Sequence, residues 1–153
     1  MRRLPPSVAP LLLAASLLAC AAREPQPLTL EHLPMPGPAS LPFSAAVRAG
    51  PWLFLSGQLG TDSTLRLVPG GIGPETRQAM ENVRALVTRA GGSMERLVKC
   101  TVMLADMAEW GAMNQEYVKF FSGPPPARSA LGASGLALGA RVEIECLALL
   151  EER

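Results

Sequence analysis

Histidine is almost missing from this chain: His32 is the only one among 153 residues, and it lies near the amino terminus. No Ser–His or Cys–His pair can therefore be drawn within the body of the sequence, which closes the usual route to an activated nucleophile. Zinc fails on the same count, because Cys20, Cys100 and Cys146 have no histidines at ligand spacing. Charge is also scarce: 18% of residues are charged and the net charge is +1, which leaves no basic footprint for nucleic acid. Glycines 57, 60, 70, 71 and 73 fit neither the dinucleotide fingerprint nor the P-loop. The longest apolar run, Val8–Ala19, is about 12 residues and interrupted by Pro10, short of the roughly 20 needed to span a bilayer. Internal repeats and long charge runs are absent.

What the chain does have begins with its leader. Met1-Arg2-Arg3 is a positive start, Val8–Ala19 an apolar stretch, and Leu17-Leu18-Ala19-Cys20 resembles the lipobox of bacterial lipoproteins. That order predicts a signal peptide over 1–19, acylation of Cys20, a proline-rich tether over 20–40 and a folded domain over 41–153. The expected location is the cell envelope or periplasm, with the membrane touched only through the lipid anchor. A start at Met35 is the alternative and gives a cytoplasmic protein. Cys100 and Cys146 both fall in strand-like apolar runs. Export would permit them to pair, but with no sign that their Cα atoms approach they are read as buried small apolar residues.

The domain is long enough to bury a core, and 48% of the chain is hydrophobic. Residues 45–60 predict two strands around Gly50-Pro51. A helix is expected from Pro74, with Ala79, Val83, Leu86, Val87 and Ala90 at helical spacing and Gly91-Gly92 as its stop. Residues 97–105 read as a buried strand. Asp106 and Glu109 suggest a capped second helix whose apolar face is Trp110, Met113, Tyr117 and Phe120 or Phe121. Two strands follow, one near Arg128 and one over 141–150. The order β-β-α-β-α-β-β predicts an α+β fold, a single mixed β-sheet with two helices on one face. In the last strand Val142, Ile144, Cys146 and Ala148 alternate with Glu143, Glu145, Leu147 and Leu149. Leucines on both faces argue that the second face is buried in an oligomer.

Candidates for chemistry reduce to Arg128, stiffly approached by Pro124-Pro125-Pro126, and the carboxylates Glu143 and Glu145. A guanidinium fork binds a carboxylate through two parallel hydrogen bonds. Two glutamates at i, i+2 share a strand face roughly 6.5–7 Å apart, and burial with mutual repulsion raises one of their pKa values. Two readings stand open. The glutamates either handle a proton beside a substrate held by Arg128, or serve with Arg128 and Arg141 as structural ion pairs. Gln58 and Asn114 likewise fit caps or turn bonds as well as substrate contacts.

The stretches 55-LSGQLG-60, 68-VPGGIGPETRQAMENVRALV-87, 97-LVKCTVMLADMAEWGAMNQEYVKFF-121 and 126-PARSALGASGLALGARVEIECLAL-149 strongly resemble the RidA/YjgF family, from about Leu41 to Leu149. The resemblance implies a chorismate-mutase-like subunit, a homotrimer with clefts between subunits, and no metal or organic cofactor. It implies hydrolysis of reactive 2-imino and 2-enamino acids, such as 2-aminoacrylate and 2-iminopropanoate, to 2-oxo acids and ammonia. Arg128 would clasp the substrate carboxylate and Glu143 would hold the attacking water, while Gly57 and Asn114 line the cleft. Phe43 stands where well-known members carry tyrosine, and Ala130 where they often carry cysteine. A non-catalytic binder of small carboxylates and a chaperone-like surface are the alternative functions.

Overall fold

The computed structural model describes residues 27–35 and 41–151. The signal peptide over 1–19 and the lipidation of Cys20 lie outside the described residues. The strands are β1 Leu30–Leu33, β2 Ala46–Ala49, β3 Trp52–Leu55, β4 Gln58–Leu59, β5 Leu97–Leu104, β6 Ala127–Gly132 and β7 Val142–Leu149. The helices are α1 Ile72–Arg89 and α2 Trp110–Tyr117. One sheet runs β1-β2-β3-β7-β5-β6, with β4 also paired to β7. Among the described residues only β5 and β6 pair in parallel, because α2 carries the chain back between them.

Alternation sorts β7 as its sequence predicts. Val142, Ile144, Cys146 and Ala148 are buried with Leu53, Leu55, Cys100, Val102 and Leu104. Onto that face α1 presses Ala79, Met80, Val83, Leu86 and Val87, and α2 presses Met113 and Tyr117. The opposite face carries Glu143, Glu145, Leu147 and Leu149, joined by Trp52 and Phe54, which remain 38% and 51% exposed.

Five expectations need correction. The segment read as a tether includes β1, whose residues pair with β2 from Leu30↔Ala49 to Leu33↔Ala46. An edge strand that buries only Leu33, and that in part, carries no apolar alternation, so its sequence gives no sign of it. Helix α1 starts at Ile72 rather than Pro74; the proline occupies the first turn, where a backbone N–H has no acceptor to lose. The two cysteines are not independent core residues. They face each other in register and form a disulfide, Cα–Cα 4.1 Å.

Trp110, expected on the buried face of α2, is 45% exposed. It opens the helix at the sheet edge and stands over Arg128 of β6. Asp106 does cap, accepting from the Ala108 amide at 2.8 Å, but it caps a short 3-10 turn ahead of α2. Glu109 makes no capping box and pairs with Arg141 instead.

Candidate active site

Arg128 sits second in edge strand β6, immediately after the proline run. Its register partner on β5 is Cys100, so its side chain leaves on the helix-bearing face. The guanidinium carbon lies 4.7 Å from the Tyr117 ring centroid and 5.9 Å from that of Trp110. No hydrogen bond or ion pair to the Arg128 guanidinium exists among the described residues. Beside it opens a hollow of about 550 Å³ lined by Asn114, Gln115, Tyr117, Val118, Pro125 and Pro126. Asn114 Oδ1 and the Tyr117 hydroxyl are shut off from water and lack a hydrogen-bond partner. A group that satisfied either would recover roughly 1–3 kcal/mol. Burial pushes the Tyr117 phenol up to about 12, against the pull of the Arg128 charge. Ala130, two residues along, shares the Arg128 face and packs partly on the core.

Glu143 faces the other way, in register with Met103 and Leu59. Gly57 makes room for it: a Cβ there would lie 1.8 Å from Glu143 Oε1. Partial burial first, and the charge of Glu145 second, raise the Glu143 carboxyl above the ordinary range. Phe43 is 51% exposed and lies in the loop before β2. Its loop is tied to the strand end by Ser56, whose hydroxyl donates to Ser44 O at 2.7 Å and whose amide donates to Ala45 O at 2.9 Å.

Much of the motif around these groups is scaffolding. Gln58 spends its amide on Ser56 O at 2.9 Å. Asn82 donates to Leu59 O and Thr61 O, both at 2.9 Å, and accepts from Gln78 at 3.0 Å. These bonds pin β4 to α1. At Gly60 any Cβ would come within 2.6 Å of the Glu75 backbone, so the approach is closed to other residues. Glu75 in turn accepts from the Arg141 amide at 2.8 Å, fixing the start of β7.

The predicted residues thus fall into two groups. Asn114, Arg128 and Ala130 stand at the β6 edge; Gly57 and Glu143 meet on the open sheet face, and Phe43 lies exposed in the loop before β2. Arg128 and Glu143 are two strands and three residues apart, on the order of 14 Å, and on opposite faces. The ion-pair alternative does not describe them: Arg141 pairs with Glu109, and neither Glu143 nor Glu145 has an ionic partner among the described residues. Tyr117 was read from sequence as core alone. Its spacing of three from Asn114 on one helix was the available signal that it shares the hollow.

Residues 36–150 match the family described as Endoribonuclease L-PSP. A mouse protein named 2-iminobutanoate/2-iminopropanoate deaminase is 42% identical over 114 residues, covering 73% of this chain and 84% of its own. Among solved structures, RidA from an Antarctic Psychrobacter is 34% identical with a TM-score of 0.70, covering 82% of this chain and 100% of its own. TdcF of E. coli, solved with bound serine, is 27% identical with a TM-score of 0.70, covering 83% of this chain and 100% of its own.

Proposed function

This chain belongs to the Endoribonuclease L-PSP family, the RidA/YjgF family its motifs resemble, and from that membership we propose that it hydrolyses reactive 2-imino and 2-enamino acids to 2-oxo acids and ammonia. The observation that carries the reading is the Arg128 guanidinium, stacked on aromatic rings with its hydrogen-bonding edge unspent beside a hollow. Such an edge suits a small carboxylate. The name of the mouse relative and the serine in the E. coli neighbour point to the same ligand class.

The chemistry asks little of the protein. The carbon of a 2-imino acid is already electrophilic, so the protein's task is positioning and the supply of a poised water. Water adds to the C=N carbon while Glu143 takes its proton. Glu143 returns that proton to nitrogen to give a tetrahedral carbinolamine, which collapses. The hydroxyl's remaining proton is passed to nitrogen as the C=O forms and the C–N bond breaks, and ammonia leaves a 2-oxo acid. A carboxyl with a raised pKa matches a proton that must be taken and given back. An enamine enters the same path after tautomerising to its imine.

One protomer cannot close this site, because Arg128 and Glu143 lie on opposite faces. We propose a homotrimer in which the Phe43–Gly57–Glu143 side of one copy meets the Asn114–Arg128–Ala130 edge of the next. The exposed Trp52 and Phe54 beside Leu147 and Leu149 supply apolar surface for that contact. The proposal extends to location, a cell-envelope protein anchored through Cys20. The disulfide in the sheet favours an oxidising compartment, and the mass of the native amino terminus checks the anchor.

The direct test generates 2-iminopropanoate with an amino-acid oxidase and follows its disappearance. Arg128→Ala is expected to lower kcat/KM by about 100-fold and to abolish binding of 2-oxobutanoate. Glu143→Gln is expected to lower kcat by about 10²–10⁴-fold with that binding kept. Undiminished acceleration in Arg128→Ala removes the arginine from the mechanism. Undiminished turnover in Glu143→Gln removes the glutamate.

A further inference from the structure

A guanidinium with no hydrogen bond among the described residues must be ordered by something else, since its long side chain is otherwise free to sample many rotamers. Two rings are in reach. Trp110 is the farther, at 5.9 Å, and is itself 45% exposed. Tyr117 is nearer, at 4.7 Å, and only 4% exposed. Tyr117 is in turn backed by Phe121, one helical turn on, with ring centroids 5.0 Å apart and planes tilted by 52°. The buried member of the set is the tyrosine, and the cation rests on it.

We propose that Tyr117 is the positioning residue for the carboxylate grip, its ring carrying the Arg128 guanidinium so that the donors of the cation remain free. The inference rests on the functional reading above and assigns a duty that reading does not use. Stacking fits the task in a way an ion pair would not. The five N–H donors of a guanidinium lie in its plane, and an aromatic ring engages the face. A carboxylate partner would have consumed the fork that the substrate needs. The ring also supplies attraction without a counter-charge to compete with an incoming anion.

The hydroxyl has no part in this. It is buried, without a partner, and its phenol is held neutral by burial. The ring's duty and the hydroxyl's burden can therefore be separated by substitution. Tyr117→Leu removes the ring. Tyr117→Phe returns the ring and deletes an unsatisfied polar group.

The experiment measures Kd for 2-oxobutanoate by calorimetry, KM and kcat with 2-iminopropanoate, and Tm, for Tyr117→Leu, Tyr117→Phe, Trp110→Leu and Arg128→Ala in the full chain. Tyr117→Leu is expected to raise Kd and KM about 10-fold with kcat within about 2-fold. Tyr117→Phe is expected to rescue both constants to within about 2-fold and to raise Tm by about 2–4 °C. Trp110→Leu is expected to raise Kd by about 2-fold. A Tyr117→Leu protein with unchanged Kd overturns the inference, whatever its Tm. So does a Tyr117→Phe protein whose Kd rises 10-fold, which assigns the work to the hydroxyl and can be read even if the leucine variant does not fold. If Arg128→Ala itself leaves Kd unchanged, it is the carboxylate-binding reading that falls. If Arg128→Ala weakens binding and neither aromatic variant does, only the role of Tyr117 falls.

Discussion

Glu143 and Glu145 show how one strand sets two carboxylates apart. Both leave β7 on the open face, but Glu143 is tucked under Gly57 while Glu145 is exposed. Partial burial raises the inner carboxyl, and the outer charge raises it further. In the proposed mechanism Glu143 acts as a base and must be ionised, so its raised pKa carries the acid limb of kcat upward in pH. Removing the outer charge in Glu145→Gln is expected to move that limb to lower pH without abolishing turnover, as a pH–rate profile would record. An unmoved limb would exclude Glu143 as the titrating base. The same shift has a sign for stability. A carboxyl whose folded pKa is raised binds its proton more tightly when folded, so its contribution is fully present below the unfolded pKa and lost as pH rises through the folded one.

Among elements, β5 and β7 hold the sheet together and are cross-linked by Cys100–Cys146. The sequence separation is 46, a closed loop that contains α2 and β6 and hence Arg128, Tyr117 and Asn114. Closing a loop of that length removes denatured-state freedom worth about 2–4 kcal/mol. Urea unfolding of the disulfide-free Cys100→Ser/Cys146→Ser protein is expected to show a loss of that size. An unchanged midpoint would mean the bond restrains nothing the strands do not already restrain. Legibility differed from element to element for physical reasons. Burial on one face imprints a period, and β7 and α1 were readable because they carry one. Edge strand β1 was not, since exposed residues such as Glu31 and His32 face no such demand. Neither cysteine pairing nor the face taken by Arg128 could be read from spacing, because both depend on the register that sets Arg128, Cys100 and Cys146 in one row. Tyr117 was hidden differently: the apolar spacing that makes it core is the same signal that puts it beside Asn114.

For the whole molecule, the division of the site predicts complementation between dead variants. Arg128→Ala supplies only the acid and Glu143→Gln only the guanidinium. When the two are unfolded together in equal amounts and refolded, half of the donors and half of the acceptors in each contact are intact, so about one quarter of the clefts are whole. Activity near a quarter of the parent's is the expected result of the imine assay. No recovery at all, with mixed assembly verified by mass, would show that both groups act from the same chain.

The two surfaces that meet in the proposed trimer are different patches of one protomer, and unlike patches join head to tail. An isolated pair of such copies has one completed pocket and leaves a vacant half at either end. A closed ring wastes none. On the proposed assembly, an acid on the front of the sheet and a cation on its rim make ring closure a condition of full catalytic yield, and below the concentration at which rings persist the specific activity should fall with dilution.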